Sequence, residues 1–245
     1  NSDSNQSEAP TSTTHDYSRL PTEMKEAIIE ILKLSPLLNE EKLLLSMGIP
    51  KGSEVKKRLT RHISEALEIA LAFAKPKIIW KIGPTESILP EFAHSRRLSR
   101  YLATPQYTAL VVGTAGSEWE QRILSTEDPM QAYVFNVAAT ALARDTHCQA
   151  SRALAQRYPQ YAIGESLSPG TDALPLKLQT DLIRQLPIEK IGVRFDSENL
   201  FMQPLASVTS IIGFGEQVER AISIEDCDGI TPNCPRCPDR NCRLR

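Results

Sequence analysis

The sequence predicts an α+β fold: a single domain with a mixed or antiparallel sheet packed by long helices, followed by a Cys-rich C-terminal tail. Three observations predict it. Apolar residues recur at helical steps over 53–74 and 129–157, and short β-branched or apolar runs stand between turn formers at 78–82, 107–112 and 207–214. The order of these segments does not alternate as a regular βαβ series would. With 245 residues, 41% of them hydrophobic, the chain carries enough apolar surface for a sizeable core.

Residues 1–20 are rich in Ser, Thr and Asn and lack a basic n-region and an apolar h-region, so they are expected to form a disordered leader. The domain is expected over 21–220 and the tail over 221–245. Met24, Ala27, Ile28, Ile31 and Leu32 recur at three- and four-residue steps, which predicts a helix that stops before Pro36. Ser53 is the expected N-cap of a second helix, which turns Val55, Leu59, Ile63, Ala66, Leu67, Ala70 and Phe73 inward and ends at Pro76. Lys56, Lys57, Arg58 and Arg61 form a solvated face at its start.

A strand is expected over 78–82, a short helix over 96–102, and a second strand over 107–112 that ends at Gly113. There Gly113-Thr114-Ala115-Gly116-Ser117 opens into a helix whose first N–H groups are available to a ligand. Neither phosphate-binding glycine pattern, G-x-G-x-x-G or G-x-x-x-x-G-K-[ST], is present. Pro129 to Arg157 is the expected central helix, with Met130, Val134, Val137, Ala138, Ala141 and Cys148 inward. A strand at 161–163 is followed by turn formers from Gly164 to Thr171, and then by a helix over 175–186 that Asp172 is placed to cap. Strands over 191–195 and 207–214 flank an irregular link.

Lys plus Arg total 28 and Asp plus Glu 30, so a net charge of -2 supplies no field for nucleic acid or an anionic membrane, and neither partner is expected. No apolar stretch approaches the roughly 20 residues a membrane-spanning helix requires. His15, His62, His94 and His147 are scattered and form no hydrolase or metalloprotease constellation. The cysteines carry the clearest local chemistry. Cys227, Cys234, Cys237 and Cys242 follow a C-x6-C-x2-C-x4-C pattern, close enough for four thiolates to meet around one metal, either zinc or an iron–sulfur cluster. Such crowding differs from a disulfide framework and points to a reducing, cytoplasmic compartment. Cys148 is expected in the core.

Ser168-Pro169-Gly170, Leu174-Pro175-Leu176, Ile191-Gly192-Val193, Met202-Gln203-Pro204-Leu205-Ala206-Ser207-Val208-Thr209 and Ile211-Ile212-Gly213 together form a longer pattern. It resembles the activation domain of vitamin B12 (cobalamin)-dependent methionine synthase, and more closely the short free-standing relatives of that domain. Leu45-Ser46-Met47-Gly48-Ile49-Pro50, leading through Lys51-Gly52-Ser53-Glu54 into the second helix, resembles the start of those relatives. The likeness extends from about residue 20 to 217.

The resemblance implies a component of a cobalamin-dependent methyltransferase system: a partner of a corrinoid-binding protein that supports methyl transfer or reductive reactivation. Cobalamin would come through that partner, and S-adenosylmethionine would be held at Ser166, Ser168, Pro169, Gly170 and Thr171. Two positions depart from the family's R-x-A-P-G-Y segment, because Ser166 replaces the Arg and Thr171 the Tyr. An Arg there would pair with the methionine carboxylate through two N–H bonds, so its loss implies weak binding. Arg144 or Arg194 is a candidate substitute. Relatives often carry acidic residues in the middle of the long helix, where this chain has Asn136 and Arg144, with Asp145 one residue away. The alternative reading is a metal-stabilised interaction protein that has lost S-adenosylmethionine binding.

Overall fold

The structure, a computed structural model, describes residues 26–49, 53–171 and 174–219. The expected leader, Asp172 and the tail with Cys227, Cys234, Cys237 and Cys242 lie outside the described residues.

In chain order the elements are β1 (Ile28–Lys33), α1 (Glu40–Ser46), α2 (Glu54–Phe73), β2 (Lys77–Pro84), α3 (Thr85–Ile88), a 3-10 turn (Leu89–Phe92), α4 (Arg96–Tyr101) and β3 (Tyr107–Thr114). They continue with α5 (Ser117–Leu124), α6 (Pro129–Arg157), β4 (Ala162–Leu167), α7 (Leu178–Ile183), a second 3-10 turn (Ile188–Ile191), β5 (Arg194–Asp196), β6 (Phe201–Gln203) and β7 (Ser207–Gly215). Five strands form one antiparallel sheet in the order β1-β2-β3-β7-β4, while β5 and β6 pair in a small hairpin. The α+β expectation holds, and of its two sheet alternatives the antiparallel one is found.

One side of the sheet presents Ile78, Trp80, Val111, Ile212 and Phe214 to Ala150 and Leu154 of α6 and to Tyr158, which caps its end. The other presents Ile79, Leu110, Val112 and Ile211 to Phe92, Leu98, Leu178 and Leu182. A third apolar cluster joins α1, α2, α5 and the first half of α6 around Ile63, Trp119 and Phe135. The helix α6 lies so close to the sheet that a Cβ on Gly113 would stand 2.0 Å from Thr146 Oγ1. Glycine is the residue that permits this approach. Asp128 caps α6 by accepting from Met130 N at 2.8 Å and Gln131 N at 3.3 Å, and these N–H donors hold its carboxyl below the usual range.

Several sequence expectations are corrected. The helix expected from Met24 to Leu32 is strand β1 over its described part, with Ile28 opposite Ile82 and Leu32 opposite Ile78. Its isoleucines suit a pleated surface, and the edge of β2 supplies the hydrogen bonds that no isolated helix pattern anticipates. β3 runs one residue past Gly113, and β4 extends to Leu167 through residues expected to be turn formers. α7 is shorter than 175–186, and Lys177 begins it without a side-chain cap. Ile191 belongs to a 3-10 turn, leaving β5 only Arg194–Asp196. Met130 of α6 and Val55 and Phe73 of α2, all expected inward, are exposed, Val55 and Phe73 lying in the first and last turns of α2, where neighbouring elements no longer cover the helix.

Candidate ligand-binding arm

The candidate site is built on β4, one of the two outer strands of the sheet. Its register with β7 shifts between Ile163 and Ser166. A buried hydroxyl supports that irregularity: Tyr101 Oη donates to the Glu165 carbonyl at 2.5 Å and accepts from Gly213 N at 2.9 Å. Burial pushes the Tyr101 hydroxyl above its ordinary pKa, so it remains a protonated donor.

Beyond Leu167 the chain turns tightly. Thr171 N and Oγ1 both donate to the Ser168 carbonyl at 3.0 Å, and Gly170 N donates to Leu174 O at 3.0 Å. Gly170 has φ +87°, a left-handed conformation, and any Cβ there would meet Leu176 Cδ1 at 3.1 Å. Ser-Pro-Gly is therefore a rigid corner rather than an open loop.

The α6 side of this corner is polar. His147 Nδ1 lies 3.5 Å from Ser168 Oγ. Its Nε2, together with Ser166 Oγ and Ser210 Oγ, is buried without a hydrogen-bond partner. Leu167 pairs with Ile211, so one step further along the ladder Ser168 comes opposite Ser210, on the face that carries Ile212 toward α6. Burial first, and the Arg144 charge second, lower the His147 pKa to about 4, so the imidazole is neutral at pH 7. Orphaned polar atoms are costly in a folded interior. Their concentration beside the arm marks it as a place where a polar ligand group or water finds partners.

Ser166 and Ser168 thus meet at this polar face, and Pro169, Gly170 and Thr171 form the corner beside it. Of the two candidate arginines, Arg144 acts electrostatically on His147, whereas Arg194 sits exposed on the β5–β6 hairpin. Asp145 is engaged elsewhere: it is buried and accepts from Lys42 Nζ at 2.9 Å and Gln149 Nε2 at 2.7 Å. Asn136 is exposed, its amide donating to the Ala132 carbonyl at 3.0 Å. Within the Gly113–Ser117 turn two of the N–H groups are already engaged. Ala115 N donates to Ala206 O at 3.0 Å and Gly116 N to Thr114 Oγ1 at 3.2 Å.

A surface cavity of about 320 Å³ lies at the opposite end of α6, lined by residues including Arg61, His62, Arg122, Asp128 and Gln131, and contains no residue of the arm. Among the described residues no His, Cys, Asp and Glu side chains group into a metal site, and no helix is long and apolar enough to cross a membrane. Sequence reasoning missed Tyr101, His147 and Ser210, which only the fold brings to the arm, from 21 positions away for His147 and 64 for Tyr101.

The architecture is an α+β fold with one five-stranded antiparallel sheet between helices. It is similar to the crystal structure of the MetH reactivation domain bound to AdoHcy, with a TM-score of 0.57 and 12% sequence identity, the match covering 86% of each chain. The fold implied by the sequence resemblance is therefore present. No family model matches the sequence, and no curated protein matches it.

Proposed function

We propose that this chain is a partner of a corrinoid-binding protein and supports methyl transfer or reductive reactivation of its cobalamin. One observation carries the reading: the chain shares the fold of a reactivation domain over 86% of both chains. That domain was crystallised with AdoHcy, which makes an S-adenosyl ligand the candidate for the arm here. Ser166, Ser168, Pro169, Gly170 and Thr171 would hold it, with His147 as a neutral neighbour. The unpartnered Ser166 and His147 atoms suit polar groups of such a ligand. Ser166 gives only a neutral hydrogen bond where an Arg would give a bidentate ionic one, so S-adenosylmethionine binds weakly. S-Adenosylmethionine, when bound, supplies an electrophilic methyl group; the arm's part is to bind and orient it.

The test is optical. A corrinoid protein from the same source, poised as cob(II)alamin, is titrated with this chain. A change in the cob(II)alamin spectrum supports the reading; an unchanged spectrum with every corrinoid protein of the source rejects it. Cytoplasmic location follows the same reading, because the reductants that the chemistry requires are intracellular. The alternative, an interaction protein without S-adenosyl binding and stabilised by zinc or an iron–sulfur cluster at the four tail cysteines, is favoured by the replacement of the Arg by Ser166. Metal analysis of anaerobically purified protein tests it, and zinc and iron both at trace level reject it.

A further inference from the structure

We infer that the cavity at the N-terminal end of α6 binds a small α-amino acid with an uncharged polar side chain, its carboxylate held by Arg61 and Arg122 and its ammonium by Glu65, Glu127 and His62. At about 320 Å³ the cavity stands at the small end of the roughly 300–1,000 Å³ that ligand pockets span. It opens where α2, α5 and α6 meet. Arg61, His62 and Glu65 come from one stretch of α2, Arg122 from the last turn of α5, Glu127 from the link that follows, and Gln131 and Phe135 from the start of α6. The apolar cluster around Ile63, Trp119 and Phe135 fixes all three helices from beneath. Trp119 Nε1 also donates to the Phe135 carbonyl at 3.2 Å, so a hydrogen bond as well as packing pins the floor.

The histidine is held in one tautomer. Gln131 is only 5% exposed, and both ends of its amide engage His62: Nε2 donates to the His62 carbonyl at 3.3 Å, and Oε1 lies within hydrogen-bond reach of Nδ1. An amide oxygen can only accept, so Nδ1 carries the hydrogen. The lone pair of the neutral imidazole is therefore on Nε2, which has no hydrogen-bond partner among the described residues. It is an acceptor available to an N–H donor in the cavity that His62 lines.

The charges around this space are not used by the fold. Asp128 is the exception, since it caps α6 and its carboxylate is already held by backbone N–H groups. Among the described residues Arg61, Glu65, Arg122 and Glu127 join no ion pair, although Arg61 and Glu65 stand four positions apart on α2, the spacing at which helical pairs form. Two guanidiniums and two carboxylates thus line one cavity and cancel in charge. A lone anion would meet Glu65 and Glu127 as like charges, and a lone cation would meet Arg61 and Arg122. A molecule carrying one charge of each sign satisfies both sets. The planar fork of Arg matches a carboxylate through two N–H bonds, and the three donors of an ammonium suit two carboxylates and the free Nε2. An α-amino acid carries these two groups on one carbon. Phe135 is the one apolar residue of the lining, so a hydrocarbon side chain finds little cover there. A polar one finds the Ser125 and Thr126 hydroxyls, which donate to the Arg122 carbonyl and can still accept. The cavity shares no residue with the arm, so its ligand is independent of the S-adenosyl reading.

Titration calorimetry of the full chain with L-serine, L-threonine, L-asparagine and L-glutamine tests the inference. At least one should bind with a constant below about 1 mM. The analogues of that amino acid without the amine, and without the carboxylate, should each bind at least about tenfold more weakly. Arg122→Gln and Glu65→Gln, checked for an unchanged thermal midpoint, should each weaken the amino acid by a similar factor; Arg61→Gln and Glu127→Gln replace either variant that loses the fold. No binding of any of the four at about 10 mM overturns the inference. Equal affinity for the amine-free analogue also overturns it, because the cavity would then be a plain anion site. So does unchanged affinity in the folded variants, which would put the ligand elsewhere on the chain.

Discussion

Tyr101 and Glu165, 64 positions apart, are joined by a hydrogen bond of 2.5 Å from the phenol to the backbone carbonyl. The same oxygen accepts from Gly213 N, so one hydroxyl ties α4 to both β4 and β7 where their register shifts. Tyr101→Phe leaves a carbonyl and an N–H without their partner in a buried place and is expected to cost about 1–3 kcal/mol. Urea denaturation checks this, and a loss below about 0.5 kcal/mol would show that water replaces the hydroxyl.

Gly113→Ala is expected to destabilise by about 1–3 kcal/mol, through overpacking, because the new methyl meets Thr146 Oγ1 at 2.0 Å and Thr146 Cβ at 2.8 Å. Thr146→Gly in the same chain should return part of that loss. A double-mutant cycle measures the coupling, and strict additivity of the two changes would contradict the contact.

Lys42 and Asp145 form an ion pair at 2.9 Å in which the carboxylate is almost wholly buried. Lys42→Met removes the cation and leaves Gln149 as the remaining donor to that carboxylate. The expected cost is about 2–4 kcal/mol, since an uncompensated buried charge is left behind. Adding Asp145→Asn should recover much of it. Thermal denaturation of the single and double variants decides the matter.

His147 makes stability depend on pH. Its folded pKa is lowered to about 4, chiefly by burial, against an ordinary value of 6.5. The unfolded chain therefore binds the proton first as pH falls. The contribution is complete above pH 6.5, declines between pH 6.5 and 4, and changes no further below. His147→Gln should lose about 1–2 kcal/mol less than wild type between pH 7 and pH 5. Denaturant midpoints at those two values test the sign, and equal losses would show that the imidazole charges without penalty in the fold.

In the proposed function, Ser166 would set the affinity for S-adenosylmethionine. A charge-assisted bidentate bond is worth about 1.5–3 kcal/mol, so its absence corresponds to roughly ten- to hundredfold weaker binding than an Arg-bearing arm would provide. Titration calorimetry should give a constant weaker than about 10 μM. A micromolar or tighter constant would show that another residue, with Arg144 a candidate, has taken over the carboxylate.

The sequence by itself determined the elements whose signals are local. The 29 residues of α6 and the 20 of α2 were legible because their apolar spacing, and for α2 the Ser53 cap, lie within the segment. Ser168-Pro169-Gly170 was legible as a corner because Pro restricts φ and Gly permits the left-handed conformation the turn adopts. Tertiary structure alone decided that Ile28–Lys33 is a strand: its apolar residues satisfy a helical period, but pairing with β2 satisfies its backbone and buries Ile28 and Leu32 against the α6 side of the sheet. It alone decided that Asp145 faces Lys42, and that His147, Tyr101 and Ser210 converge on the arm. Local periodicity reports which side of an element is apolar. It carries no information about which distant element will cover that side, and the polar partners of a site are chosen by that second fact.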